Sequence, residues 1–178
     1  TGTENYINVA LHGEYRNKTR NRKWDALLSG EFYAAGLNIG DYSATASLGR
    51  YLNEKLGALQ VAFQNINRSP SFIFHDQSSF NFKRISQSKN ENITAITASA
   101  INPTFSLWFR NLSIAKYTYF KNYYESEQAS ALINISQVHA FKKWRFKALR
   151  NKLYLYSDVI IQQATANSPI RVPLFYTR

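Results

Sequence analysis

The stretch "LGALQVAFQNI", Leu56 to Ile66, alternates almost without a break. Leu59, Val61 and Phe63 fall on one side; Ala58, Gln60, Ala62 and Gln64 fall on the other. A two-residue period is that of a half-buried β-strand. What remains open is which side meets water. A soluble barrel turns its apolar side chains inward. A membrane barrel turns them out to lipid and leaves small and amide side chains to a wet lumen.

Roughly nine strand candidates follow the same period, most near the ~9–11 residues that a tilted strand needs to cross a bilayer. The first is Tyr6 to Arg16, with Ile7, Val9, Leu11 and Tyr15 on one face and Asn8, His12, Glu14 and Arg16 on the other. Trp24 to Ala34 and Tyr42 to Leu52 come next, and "NEK" is a tight hairpin into the opening stretch. The polar, aromatic-studded segment after Ile66 is expected to be a long loop with a short strand at its centre. Ile93 to Ile101 and Thr104 to Thr118 flank an "NP" turn. Phe105, Leu107 and Phe109 compete there with Trp108, Leu112 and Ile114 for the apolar phase, which predicts a bulge near Arg110. "YFKNYYESEQ" is expected to be a loop and "KKW" a turn after a strand from Ala131 to Phe141. Lys147 to Gln163 and a partial strand Ile170 to Tyr176 complete the series. Short turns thus alternate with long loops, the layout of an outer-membrane barrel.

Composition fits that layout. Charged residues are 19% of the 178, while Tyr and Phe number 12 each. Few charges, many amphipathic rings and abundant Asn, Gln, Ser and Thr suit a wall with a lipid side, aromatic rims and a polar lumen. No apolar run is long enough for a transmembrane helix. With no Cys, a disulfide framework and a thiolate metal site are excluded. Lys and Arg number 22 against 11 acids, a balance that favours anionic partners.

No catalytic constellation is present. His12, His75 and His139 are scattered, and no phosphate-cradling loop, HExxH or GxSxG occurs. Asp25 and Glu31 share a strand face but lie about 20 Å apart, too far for an acid/base pair. No enzyme activity, metal or cofactor is expected. "KKWRFKALRNK" could be a nucleic-acid patch, a headgroup-binding segment, or a turn and strand end whose Arg150 and Lys152 line a lumen and set anion preference. Five N-x-S/T triplets, at Asn17, Asn67, Asn92, Asn111 and Asn134, are attributable to the abundance of these residues.

The segments "NRSPSFIFHDQSSFNF", "NITAITASAINPTFSLWFRNLSIAKYTYFKNYYE", "ALINISQVHAFKKWRFKALRNKLYLYSDVIIQ" and "IRVPLFYTR" resemble the putative porins of the Bacteroidota, from about Tyr42 onward. The resemblance implies an antiparallel up-and-down transmembrane β-barrel in the outer membrane of a Gram-negative bacterium. Family members are several times longer. Residues 1–178 are therefore expected to be one barrel segment, an internal piece of a larger barrel, with no separate soluble domain.

The expected function is passive diffusion of small solutes or ions. Two alternatives stand beside it: a non-conducting barrel scaffolding an envelope assembly, and a soluble basic β-barrel binding nucleic acid. On the first reading His12, Glu14, Arg16, Gln60, Gln64, Arg150, Lys152, Asp158 and Gln162 line the lumen. Val9, Leu11, Leu28, Phe32, Leu59, Val61, Phe63, Leu153, Leu155 and Val159 face lipid. Trp24, Tyr42, Tyr117, Tyr119 and Phe120 form interfacial girdles. Expected partners are outer-membrane lipid, lipopolysaccharide and envelope proteins; nucleic acid is not favoured.

Overall fold

The computed structural model describes residues 7–18, 23–75, 78–85, 88–148, 151–166 and 168–177. Its strands are β1 (Val9–Lys18), β2 (Trp24–Ala35), β3 (Tyr42–Asn53), β4 (Gly57–Arg68), β5 (Glu91–Asn102), β6 (Phe105–Ala115), β7 (Thr118–Asn122), β8 (Glu125–Gln128), β9 (Ile133–Ala148), β10 (Asn151–Ala164) and β11 (Phe175–Thr177). Nine form one sheet in the order β1-β2-β3-β4-β5-β6-β9-β10-β11; β7 and β8 form a separate hairpin. Every pairing between these strands is antiparallel. The protein is all-β and up-and-down. Its sheet is open, with β1 and β11 as edges. Among the described residues the only helical element is a 3-10 turn at Phe72–Phe74.

Antiparallel order puts the connections at two ends. Residues 54–56 and 103–104 lie at the turn end; 36–41, 69–75, 78–85, 88–90, 116–132, 165–166 and 168–174 lie at the loop end. Asparagine builds two of the short turns. Asn53 Oδ1 accepts the Lys55 and Leu56 amides at 3.0 and 2.8 Å. Asn102 Oδ1 accepts those of Thr104 and Phe105 at 2.9 and 2.8 Å. Such side-chain turns hold the chain reversal without a backbone partner. Gly57 closes the first with φ +75°, where an added Cβ would strike the Ile101 carbonyl.

Several sequence expectations need correction. The described residues between Ser69 and Asn90 hold no strand, only the 3-10 turn and an isolated bridge from Lys83 to Glu125. "YFKNYYESEQ" is not a loop but the β7–β8 hairpin, reversed through an Asn122 Oδ1 bond to the Tyr124 amide at 2.9 Å. "KKW" is not a turn: β9 continues through it to Ala148, because Trp144 and Phe146 extend the apolar face opposite Leu155 and Leu153. Pairing through Arg110 is regular on both sides, with no bulge. β6 stops at Ala115, where Lys116 takes φ +58°, rather than at Thr118. The last strand begins at Phe175, not Ile170.

Candidate functional site: a two-faced wall and its loop cap

Cross-strand partners share a face, so the register sorts the wall residue by residue. One row runs Leu48–Val61–Ala98–Phe109–Val138–Ile161 across six strands. Leu11, Leu28, Phe32, Leu59, Phe63, Leu153, Leu155 and Val159 lie on that same apolar face; so does Val9, beyond a bulge. The opposite face carries His12, Glu14, Arg16, Gln60, Gln64, Asp158 and Gln162. The Lys152 backbone pairs with Lys147, and Arg150 lies outside the described residues.

The apolar side chains are not packed in a core. Leu59, Val61 and Phe63 are 44%, 57% and 47% exposed. Along β3 the apolar face is exposed while Ser43, Thr45, Ser47 and Gly49 opposite are half-buried.

At the loop end this polarity inverts. On the apolar face Phe63–Ile96 gives way to the row Asn65–Thr94–Ser113–Asn134. Within that row Asn65 donates to Thr94 Oγ1 at 2.9 Å and Ser113 to Asn134 at 2.6 Å, and in the row beside it Asn111 donates to Ser136 at 2.9 Å. On the other face the same strand ends carry Ala95, Ile114 and Ile133, at 3%, 6% and 3% exposure the only buried hydrophobic residues among those described. The rule of a soluble protein, apolar within and polar without, thus holds only at this end.

The loops supply the cover. Phe74, Phe82 and Phe120 form one aromatic cluster, with Phe120 4.9 and 5.0 Å from the other two rings. Buried Asp41 pins both feet of the long loop, accepting the Ser69 amide at 2.8 Å and Asn90 Nδ2 at 3.1 Å. Buried Glu91 accepts Arg68 Nε at 2.9 Å and the Thr118 amide at 2.8 Å, joining wall and hairpin. Lys83 lies along the hairpin: its amide donates to Tyr124 O at 2.7 Å, its carbonyl accepts Ser126 N at 3.0 Å, and its ammonium meets Glu125 at 2.9 Å. That ammonium holds the Glu125 carboxyl below its ordinary range.

The expected girdle residues divide. Trp24 sits at the turn end of the apolar face with Arg50 over its ring at 4.9 Å. Tyr42 sits at the loop end of that face. Tyr117 and Tyr119 stack on each other beside the hairpin, and Phe120 belongs to the cap cluster.

Sequence reading also missed a group on the polar face. Trp108 lies 4.7 Å from the His139 ring, and His139 Nε2 bonds Asp158. Phe141 and Tyr156 stack at 6.1 Å, and Lys143 lies over Tyr154 and Tyr156 at 4.6 and 5.6 Å. The alternation of Lys143 and Arg145 with Trp144 and Phe146 was the available signal. No group of three or more His, Asp or Glu that could hold a metal occurs among the described residues.

An open up-and-down sheet with an exposed apolar band on one face and a polar opposite face is the architecture of a β-barrel wall. A comparison with protein families matches residues 2–178 to the family described as Putative porin. The chain belongs to that family, and at the family level is a porin-like outer-membrane β-barrel protein. No curated protein and no solved structure matches it.

Proposed function

We propose that this sheet forms wall of a water-filled barrel that lets small solutes or ions diffuse passively across the outer membrane of a Gram-negative bacterium of the Bacteroidota. The polarity inversion carries the reading. Between the turn end and the Phe63–Ile96 row the apolar band meets acyl chains, including those of lipopolysaccharide, and the polar face meets water. Beyond that row the strands stand clear of the bilayer, so amides face out and aliphatic residues pack under the cap. Gln60, Gln64, His12, Glu14, Arg16, Asp158 and Gln162 then line the lumen.

The band has a fitting height. Gly57 to Asn65 on β4, at about 3.4 Å per residue and a tilt near 40°, spans roughly 20 Å, close to the ~25 Å band of known barrels. The cap over the loop end of the polar face favours a second reading, a non-conducting barrel that scaffolds envelope proteins. Planar-bilayer recording separates them: discrete conductance steps support the channel, and correctly folded protein without steps supports the scaffold. Solubility without detergent, with salt-sensitive nucleic-acid binding, would overturn both.

A further inference from the structure

The polar face is electrostatically uneven. Across β3, β4 and β5 it presents the uncharged Ser43, Thr45, Gln60, Gln64, Thr97 and Ser99, and at the loop end Arg68, whose charge is met by Glu91 at 2.9 Å. On β1 and β2 its cations are compensated: Arg16 meets Asp25 at 2.8 Å and Lys18 meets it at 3.8 Å. Across β6 and β9 it presents Arg110, Lys143 and Arg145, none in an ion pair among the described residues. Asp158, the acid on this face of β10, bonds His139 instead.

Aromatic rings take the place of carboxylates. Register sets Lys143 opposite Tyr156 and Arg145 opposite Tyr154. The Lys143 ammonium rests on both tyrosine faces. A ring quadrupole fixes a cation's position without cancelling its charge. A carboxylate would do both. Positive potential therefore remains available to mobile ions on this side of the sheet.

We propose that the polar face of β6, β9 and β10 is an anion lane, in which Arg110, Lys143 and Arg145 concentrate small inorganic or carboxylate anions along a wall lined by Trp108, Tyr154 and Tyr156. This rests on the reading that the polar face is wet, and it assigns that lumen a preference for anions. It also gives a role to part of the chain's excess of basic residues.

The test reads the lane without requiring conduction. Trp24→Phe with Trp144→Phe leaves Trp108 as the single tryptophan. In folded protein in neutral-detergent micelles its fluorescence is quenched by iodide, caesium or acrylamide. Arg110, two residues from Trp108 on β6, should raise local iodide by about threefold at ~6 Å in water-like dielectric and low salt; Lys143 and Arg145, four and six residues along β9 from the Trp108 partner His139, act from about 14 and 20 Å and add less. Adding Lys143→Gln, Arg145→Gln and Arg110→Gln should cut the iodide constant at least threefold, raise the caesium constant and leave acrylamide unchanged. Arg110→Gln alone should give most of that fall and Lys143→Gln alone a smaller one, and the single variants guard against misfolding of the multiple variant. An iodide constant indifferent to all three substitutions overturns the lane. Trp108 closed to acrylamide as well overturns the wet face and the lane together. Charge-dependent quenching in a protein without conductance supports the lane and overturns only the channel.

Discussion

Arginine scanned along the apolar side of β4 should report depth in a bilayer. Val61 lies between Leu48 and Ala98 on the neighbouring strands, with Leu59 and Phe63 two residues away on either side. It is four residues from Gly57 and four from Asn65, hence about 10 Å below either edge of the band at the strand rise and tilt of a barrel. Arginine near the midplane costs about 2–4 kcal/mol, falling to ~0–1 near the interfaces. Val61→Arg should therefore lower the folding equilibrium roughly 30- to 700-fold relative to Val61→Ala. Leu59→Arg and Phe63→Arg should cost less against their own alanine variants, and Asn65→Arg close to nothing. Gln60→Arg and Gln64→Arg should fold normally. The assay is reversible denaturant titration of protein folded into lipid vesicles. Equal costs at positions 60 and 61, or a cost at Asn65 matching that at Val61, would refute the assigned polarity.

Two further outcomes concern the cap. Asp41→Ala removes the acceptor for the Ser69 amide and Asn90 Nδ2, leaving donors orphaned at about 1–3 kcal/mol each; proteolysis within 69–90 should accelerate while the wall's β circular dichroism persists. Unchanged cleavage would show that Asp41 does not anchor the loop. Because Glu125 titrates below its ordinary range in the folded state, its contribution is complete above that range and is lost as pH falls through the depressed value. Amide exchange at Lys83 and Ser126 should rise in that acid window, and Glu125→Gln should show the faster exchange already at neutral pH. Exchange in Glu125→Gln identical to the parent at neutral pH would rule out the ion pair as the tie.

The wall was legible wherever one face stayed apolar along a whole strand. β2, β3 and β4 end within two residues of their sequence expectations because Trp24 to Phe32, Tyr42 to Leu48 and Leu59 to Phe63 keep one phase. β6 misled because its phase changes partway: Phe105, Leu107 and Phe109 serve the apolar band, whereas Leu112 and Ile114 are on the cap side. Two phases on one strand imitate a bulge when the partner of the second is unknown. The β7–β8 hairpin is illegible to that period because its strands, of five and four residues, are too short to cross a membrane, and β9 runs past its expected end because its basic residues alternate with Trp144 and Phe146 within a strand. The N-x-S/T triplets held unused information. Asn92-x-Thr94, Asn111-x-Ser113 and Asn134-x-Ser136 place both polar residues on one strand face, and together they mark the outward amide patch above the band.

Single-cysteine scanning from Ala58 to Ile66 tests the inside-out polarity most directly, since the chain has no native cysteine. Each site carries a spin label, and its collisions with oxygen, enriched in lipid, are compared with those of a water-soluble nickel chelate. Oxygen should dominate at 59, 61 and 63 and the chelate at 58, 60, 62 and 64, with chelate access gained at Asn65. The reverse phase, or no two-residue period, would contradict a wall with lipid on its apolar side and water on the other.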